Sequence, residues 1–162
     1  MTGKTHILFL AAILVFGPVL KAQVPSDKTA NPSGDDSNVR PPVTKADVKI
    51  VQRAREILSS PSKWNRADTR VCPPEAKTFS LYCALEKATN EVSGNFKHRG
   101  AAMQEARFVI DEITPKAKNY DHRLMGYNND PTTTFADIQK VFELLEERVA
   151  KRLTEESEGS KK

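Results

Sequence analysis

Cys72 and Cys83 are the residues of this chain best equipped for covalent chemistry. A cysteine pair close in sequence suits a disulfide in an oxidising compartment. Closing so short a loop stabilises a fold by about 2–3 kcal/mol when the geometry is relaxed. It would pin the Pro73-Pro74 segment to the helix that follows. Two inert thiols are the plainer alternative. The sharper one makes Cys83 a nucleophile, its thiolate favoured near a helix N-terminus, with His98 or His122 as base. Such a chain would be a small cysteine-dependent hydrolase. Nothing in the spacing brings either histidine to Cys83, so the disulfide is preferred and catalysis is not expected.

A second constellation is Tyr127-Asn128-Asn129-Asp130, followed by Pro131 and three threonines. A tyrosine beside three Asx side chains could grip a polar ligand or a hard cation through oxygen. Asn and Asp before Pro are equally what a turn into a capped helix needs, and the spacing fits no EF-hand. Trp64, the single tryptophan, lies in a separate loop and either plugs the core or offers a ring to a ligand. If the two loops meet, Trp64 and Tyr127 with Asn128 and Asp130 at the rim would make a shallow pocket with polar handles. Lys116, Lys118, Tyr120, His122 and Arg123 interleave charge with rings, but Asp121 dilutes them and a solvated loop is the simpler account. The histidines have no metal-ligand spacing, and no Gly-rich phosphate loop or nucleophile elbow is present, so neither metal nor cofactor is expected.

Four helical patterns must position these residues. Thr44-Lys-Ala-Asp47 is a capping box, after which Ile50, Val51, Ala54, Ile57 and Leu58 share one face. A second helix starts near Thr78 or Ser80, carries Leu81, Tyr82, Leu85, Ala88 and Val92, and stops at Ser93-Gly94-Asn95. The third runs from about Arg99 to Thr114 and is closed by Pro115. In the fourth, Thr134 caps with Asp137, and Phe135, Ile138, Val141, Phe142, Leu145 and Val149 form a wide stripe. Its acids precede its bases, and Glu147 is set to pair with Lys151. With no strand pattern, the expected fold is all-α: a small four-helix domain over residues 44–153, with long loops at 60–77 and 115–133.

The address comes from the N-terminus. Lys4 precedes an apolar run from Ile7 to Leu20, and Ala22 offers a small residue at a cut. This is the order of a secretory signal over residues 1–22, too short and too broken by Gly17 and Pro18 for a spanning helix. Residues 23–43, rich in Pro, Ser, Asp and Lys, are expected to form a disordered tether, and 154–162 a disordered tail. The signal contains two of the 25 Lys and Arg and none of the 21 Asp and Glu, so the exported chain has a basic excess of only two. That is no field for nucleic acid. Membrane contact is confined to the signal before cleavage, and the exported domain is periplasmic or secreted.

The order of a loop tryptophan (Trp64), Cys83-Ala84-Leu85 opening a helix, and Tyr127-Asn128-Asn129-Asp130 before a Thr-capped last helix resembles a bacterial family of small domains of unknown function. That family has Trp where Tyr127 stands and a Gly-Ala pair missing here. The resemblance covers residues 46–152, implies a helical domain and carries no activity. A non-enzymatic binding module with an unknown partner is the reading that results.

Overall fold

A computed structural model of the chain describes residues 39–116 and 118–159. The expected signal and residues 23–38 of the expected tether lie outside the described residues. Five helices are present: α1 (Lys45–Ile57), α2 (Leu81–Ser93), α3 (Ala101–Ile113), α4 (Arg123–Asn129) and α5 (Phe135–Gly159). A single 3₁₀ turn spans Pro61–Lys63. The described residues contain no strand, only one isolated parallel bridge between Trp64 and Phe79, and the all-α class is as expected.

The helix ends follow the local chemistry. Thr44 and Asp47 form the reciprocal capping box of α1, with Thr44 N 2.9 Å from Asp47 Oδ2. Ser80 caps α2 by accepting from Cys83 N at 3.1 Å, and Gly94 ends that helix at φ 69°, a left-handed conformation in which glycine has no Cβ penalty. Thr134 Oγ1 and N both donate to Asp137 Oδ2 at the start of α5. The N-cap of α3 is Gly100, which has no side chain to offer. Asp47 fills that gap from another helix: its Oδ1 accepts from Ala102 N at 3.0 Å. One buried carboxylate thus caps two helices, and each such cap is worth about 1 kcal/mol.

The helices bury one continuous core. α1 packs on α2 and α5, α3 on α5 and α4, and α4 closes against α2. Val51, Ala54, Leu58, Leu81, Leu85, Ala106, Phe142 and Leu145 are fully enclosed. Below them sits a buried charge. Glu105 on α3 is fully covered and is held by Arg152 at 2.6 Å, with Arg40 at 3.7 Å and Arg148 at 3.8 Å. A buried carboxylate is tolerable only with such partners.

Four expectations are corrected. The segment 115–133 is not a loop throughout, because α4 lies within it and carries Tyr127 and Asn128. The domain does not stop at 153. α5 continues to Gly159, and Glu156 accepts from Val43 N at 2.7 Å and from Arg152 at 2.5 Å. Those bonds, with Gln104 Nε2 donating to Val39 O and Arg152 to Pro41 O, hold residues 39–43 on the body of the domain instead of in a free tether. Lys151 pairs with Glu155, one turn C-terminal to it, not with Glu147.

Candidate functional site

Trp64 is placed by the 3₁₀ turn and the bridge beyond it. Phe79 N donates to Lys63 O at 2.8 Å, and Asn65 N donates to Phe79 O at 2.9 Å. The chain between them is thereby sent out and returned as an excursion that delivers Cys72 and Asp68. The Trp64 indole is half-buried, tilted against Phe135 with centroids 6.1 Å apart, and covered by the Arg66 guanidinium at 5.0 Å.

Its Nε1 donates to Asn128 Oδ1 at 2.8 Å. Asn128 is completely buried, and its amide is saturated. The oxygen also accepts from Leu81 N at 3.0 Å, while Nδ2 donates to Asn65 O at 2.9 Å and to Asn129 Oδ1 at 3.0 Å. Two lone pairs and two hydrogens are all that such a side chain has. Asn128 therefore joins the Trp64 loop, the N-terminus of α2 and α4, and has nothing left for a ligand. Asn129 continues the seam by bracketing Asp68, accepting from its N at 2.7 Å and donating to its O at 2.8 Å.

Asp68 is itself buried, with Oδ1 accepting from Arg70 N at 2.7 Å. Burial pushes its carboxyl above the ordinary carboxylate value, with the Arg70 amide and the Ser80 hydroxyl pulling the other way. Arg70 adopts φ 61°, a left-handed backbone that costs a non-glycine residue on the order of 1 kcal/mol. The Asx turn to Asp68 holds it there, and its guanidinium lies 2.8 Å from Nδ1 of His122.

Asp130 anchors the other side. Oδ2 accepts from Lys118 Nζ at 2.6 Å and Tyr120 Oη at 2.7 Å, and Oδ1 accepts from Thr132 N and Oγ1. Lys118, then Thr132 and Tyr120, hold this carboxyl well below the usual range. Gly126 lies directly under Tyr120: a Cβ there would come within 2.6 Å of the ring. Arg66 ties the two loops from outside by donating to the carbonyls of Pro131 and Thr133, both at 3.1 Å. Tyr127 is half-buried, and its phenol is pushed up to about 12, first by burial and then by Asp137 and Asp130.

Cys72 and Cys83 are bonded to each other, with Cα atoms 5.4 Å apart. The pair lies at disulfide distance, which fits the disulfide reading. A sulfur in that bond has no thiolate, so the hydrolase alternative loses its nucleophile. The two histidines are occupied elsewhere: His98 with Arg107 and Tyr82, His122 with Arg70. Of the four ligand-binding candidates, the structure joins Trp64, Asn128 and Asp130 in one seam, with Tyr127 next to Asn128 on α4, and the rings of Trp64 and Tyr127 remain partly exposed.

The family model for a family of unknown function, DUF6197, matches residues 42–148. The chain belongs to that family. No curated protein and no solved structure matches it. The DUF6197 match spans the capping box of α1, the disulfide, and the whole seam from Trp64 to Asp137. It includes Arg148 but stops short of Arg152 and Glu156, so the terminal clamp on residues 39–43 lies mostly outside it.

Sequence reasoning missed Asn65, Arg66 and Asp68 as members of the seam, and gave Asn129 no partner in the Trp64 loop. Their only signal was a local one, the repeated Asx residues in both loops. Asx residues satisfy backbone groups wherever they stand, and pairing between two loops leaves no periodic mark.

Proposed function

We propose that this DUF6197 domain is exported and acts by binding, through the face on which the Trp64 loop and α4 are sewn together. The saturated amide of Asn128 carries this reading, because it makes two loops into one rigid surface. A preordered surface binds without the entropy cost of ordering it first. Trp64 and Tyr127 supply the ring area, with Arg66 and the Asp130–Lys118 pair as polar handles at its edge. In this arrangement Asn128 is the support of the site and not a contact within it. Export is supported by the Lys4, Ile7–Leu20, Ala22 order and by a cysteine pair at disulfide distance.

The single tryptophan makes the site its own reporter. A ligand on this face shifts Trp64 emission, and Tyr127→Ala weakens that response while leaving the fold intact. Sugars, amino acids and nucleotides that all leave the emission unchanged at millimolar concentration would remove this site. Export is checked separately, by N-terminal sequencing of the protein recovered from periplasm or medium. A mature chain starting at Gln23 supports it, and a retained Met1 sinks it.

A further inference from the structure

A cleft of about 330 Å³ lies between the Cys72–Pro74 segment and the outer face of α2, apart from the Trp64 face. Its apolar wall is the Cys72–Cys83 disulfide with Pro73, Pro74 and Phe79. Glu86, Lys87 and Glu91 supply the charges. Two of these are already spent: Lys87 pairs with Glu91 at 3.2 Å and lies 5.7 Å from the centre of the Phe79 ring, and Glu91 also binds Arg53 at 2.6 Å. Among the described residues no lysine or arginine forms an ion pair with Glu86.

A buried relay leads toward Glu86. Arg107, fully buried, donates through Nη2 to His98 Nε2 at 3.0 Å. An arginine can only donate, so that nitrogen accepts and His98 keeps its hydrogen on Nδ1. Nδ1 faces Tyr82 Oη at 3.4 Å, and Tyr82 lies one turn before Glu86 on α2, where its hydroxyl favours the charged carboxylate. The relay from Arg107 through His98 sets Tyr82 beside Glu86 at the edge of an apolar cleft. Burial raises the Glu86 carboxyl above its ordinary value and the Tyr82 bond opposes this, so the site itself supplies only part of the stabilisation that the charge needs.

We infer that this cleft binds a small organic cation, an ammonium group carried on an aryl or short alkyl body, with Glu86 as its counter-charge. The body covers Phe79, the prolines and the disulfide, and the ammonium meets the carboxylate that lacks a cation. Size agrees, since clefts that hold small ligands begin at roughly 300 Å³. The inference does not rest on ligand binding at the Trp64 face, although Phe79 also forms the bridge that places Trp64.

The test is a titration of the oxidised protein with phenethylammonium, followed by ¹⁵N–¹H NMR, with neutral phenethyl alcohol as the control. The ammonium is expected to move the amides of Phe79, Glu86 and Asn90, and to bind at least tenfold more tightly than the alcohol. Glu86→Gln should remove that preference with the rest of the spectrum unchanged. Tyr82→Phe, which keeps the ring and removes only the hydroxyl, should weaken ammonium binding several-fold. Equal binding of amine and alcohol, shifts centred elsewhere, a Glu86→Gln variant with undiminished preference, or no shift at millimolar concentration would each overturn the inference.

Discussion

The indole nitrogen of Trp64 and the amide oxygen of Asn128 meet at 2.8 Å, although 64 residues of chain separate them. This bond fixes the distance between the first long loop and α4. The same oxygen caps the first residue of α2, so the helix that carries Cys83 and Glu86 is set by the seam as well.

Asn128→Ala tests the seam. The change strands two buried donors, Trp64 Nε1 and Leu81 N, and frees the Asn65 carbonyl. Each buried group left unsatisfied costs about 1–3 kcal/mol, so a loss of about 3–5 kcal/mol is expected in urea denaturation. Asn128→Asp is expected to be no better, because its second oxygen would face the Asn65 carbonyl where an N–H now donates. A loss below 1 kcal/mol for Asn128→Ala would show that the seam is not what orders these loops.

Two carboxylates give the acid limb opposite contributions. Asp130 is held low, chiefly by Lys118, so its stabilisation is present above the unfolded value near 3.8 and is lost as the pH falls toward its folded value. Asp68 is held high by burial, so it favours the fold below 3.8 and loses that contribution as the pH rises through its folded value. Thermal melts between pH 2 and pH 7 (about the range over which these groups titrate) should show it. Asp130→Asn should lower Tm at neutral pH and converge on the parent in acid. Asp68→Asn should melt above the parent at neutral pH and lose that advantage in acid.

The disulfide should be worth about 3 kcal/mol from loop closure alone, given its sequence separation of 11. Melting in excess dithiothreitol, or of a Cys72→Ala/Cys83→Ala double variant, should show that loss. A thiol reagent should label neither cysteine of the native unreduced protein. Rapid labelling of Cys83 alone would revive a reactive thiol at the start of α2.

Gly126 can be probed by adding one methyl group. Its Cβ would fall 2.6 Å from the Tyr120 ring, so Tyr120 must move and its hydroxyl must leave Asp130. Overpacking of this kind costs about 1–3 kcal/mol. In a Gly126→Ala/Tyr120→Ala double variant the loss should be smaller than the sum of the two single losses, and strict additivity would contradict the contact.

The number of long helices, their buried stripes and the caps of α1, α2 and α5 were legible in the chain, because each depends on spacing within a dozen residues. Thr44 with Asp47, Ser80, Gly94 and Thr134 with Asp137 mark helix ends by chemistry that acts three or four residues away. α4 was not legible. It has seven residues, includes Gly126 and two asparagines, and fully buries a single apolar side chain, Leu124. Its intrinsic propensity is poor, and it exists because Asn128, Arg123 and Gly126 find partners on other elements.

Sequence by itself determined the helical class and the chemistry available to it. Tertiary structure alone decided what that chemistry is used for. Asn128 carries no sign that its amide is fully consumed inside the fold, nor Asp47 that it caps a second helix at Ala102. Glu105 and Arg152, on two stripes that look solvated, bury their charges against each other. The physical reason is range. Periodicity and capping are local properties of the chain, whereas satisfaction of a buried polar group depends on which distant atom the packing brings within 3 Å.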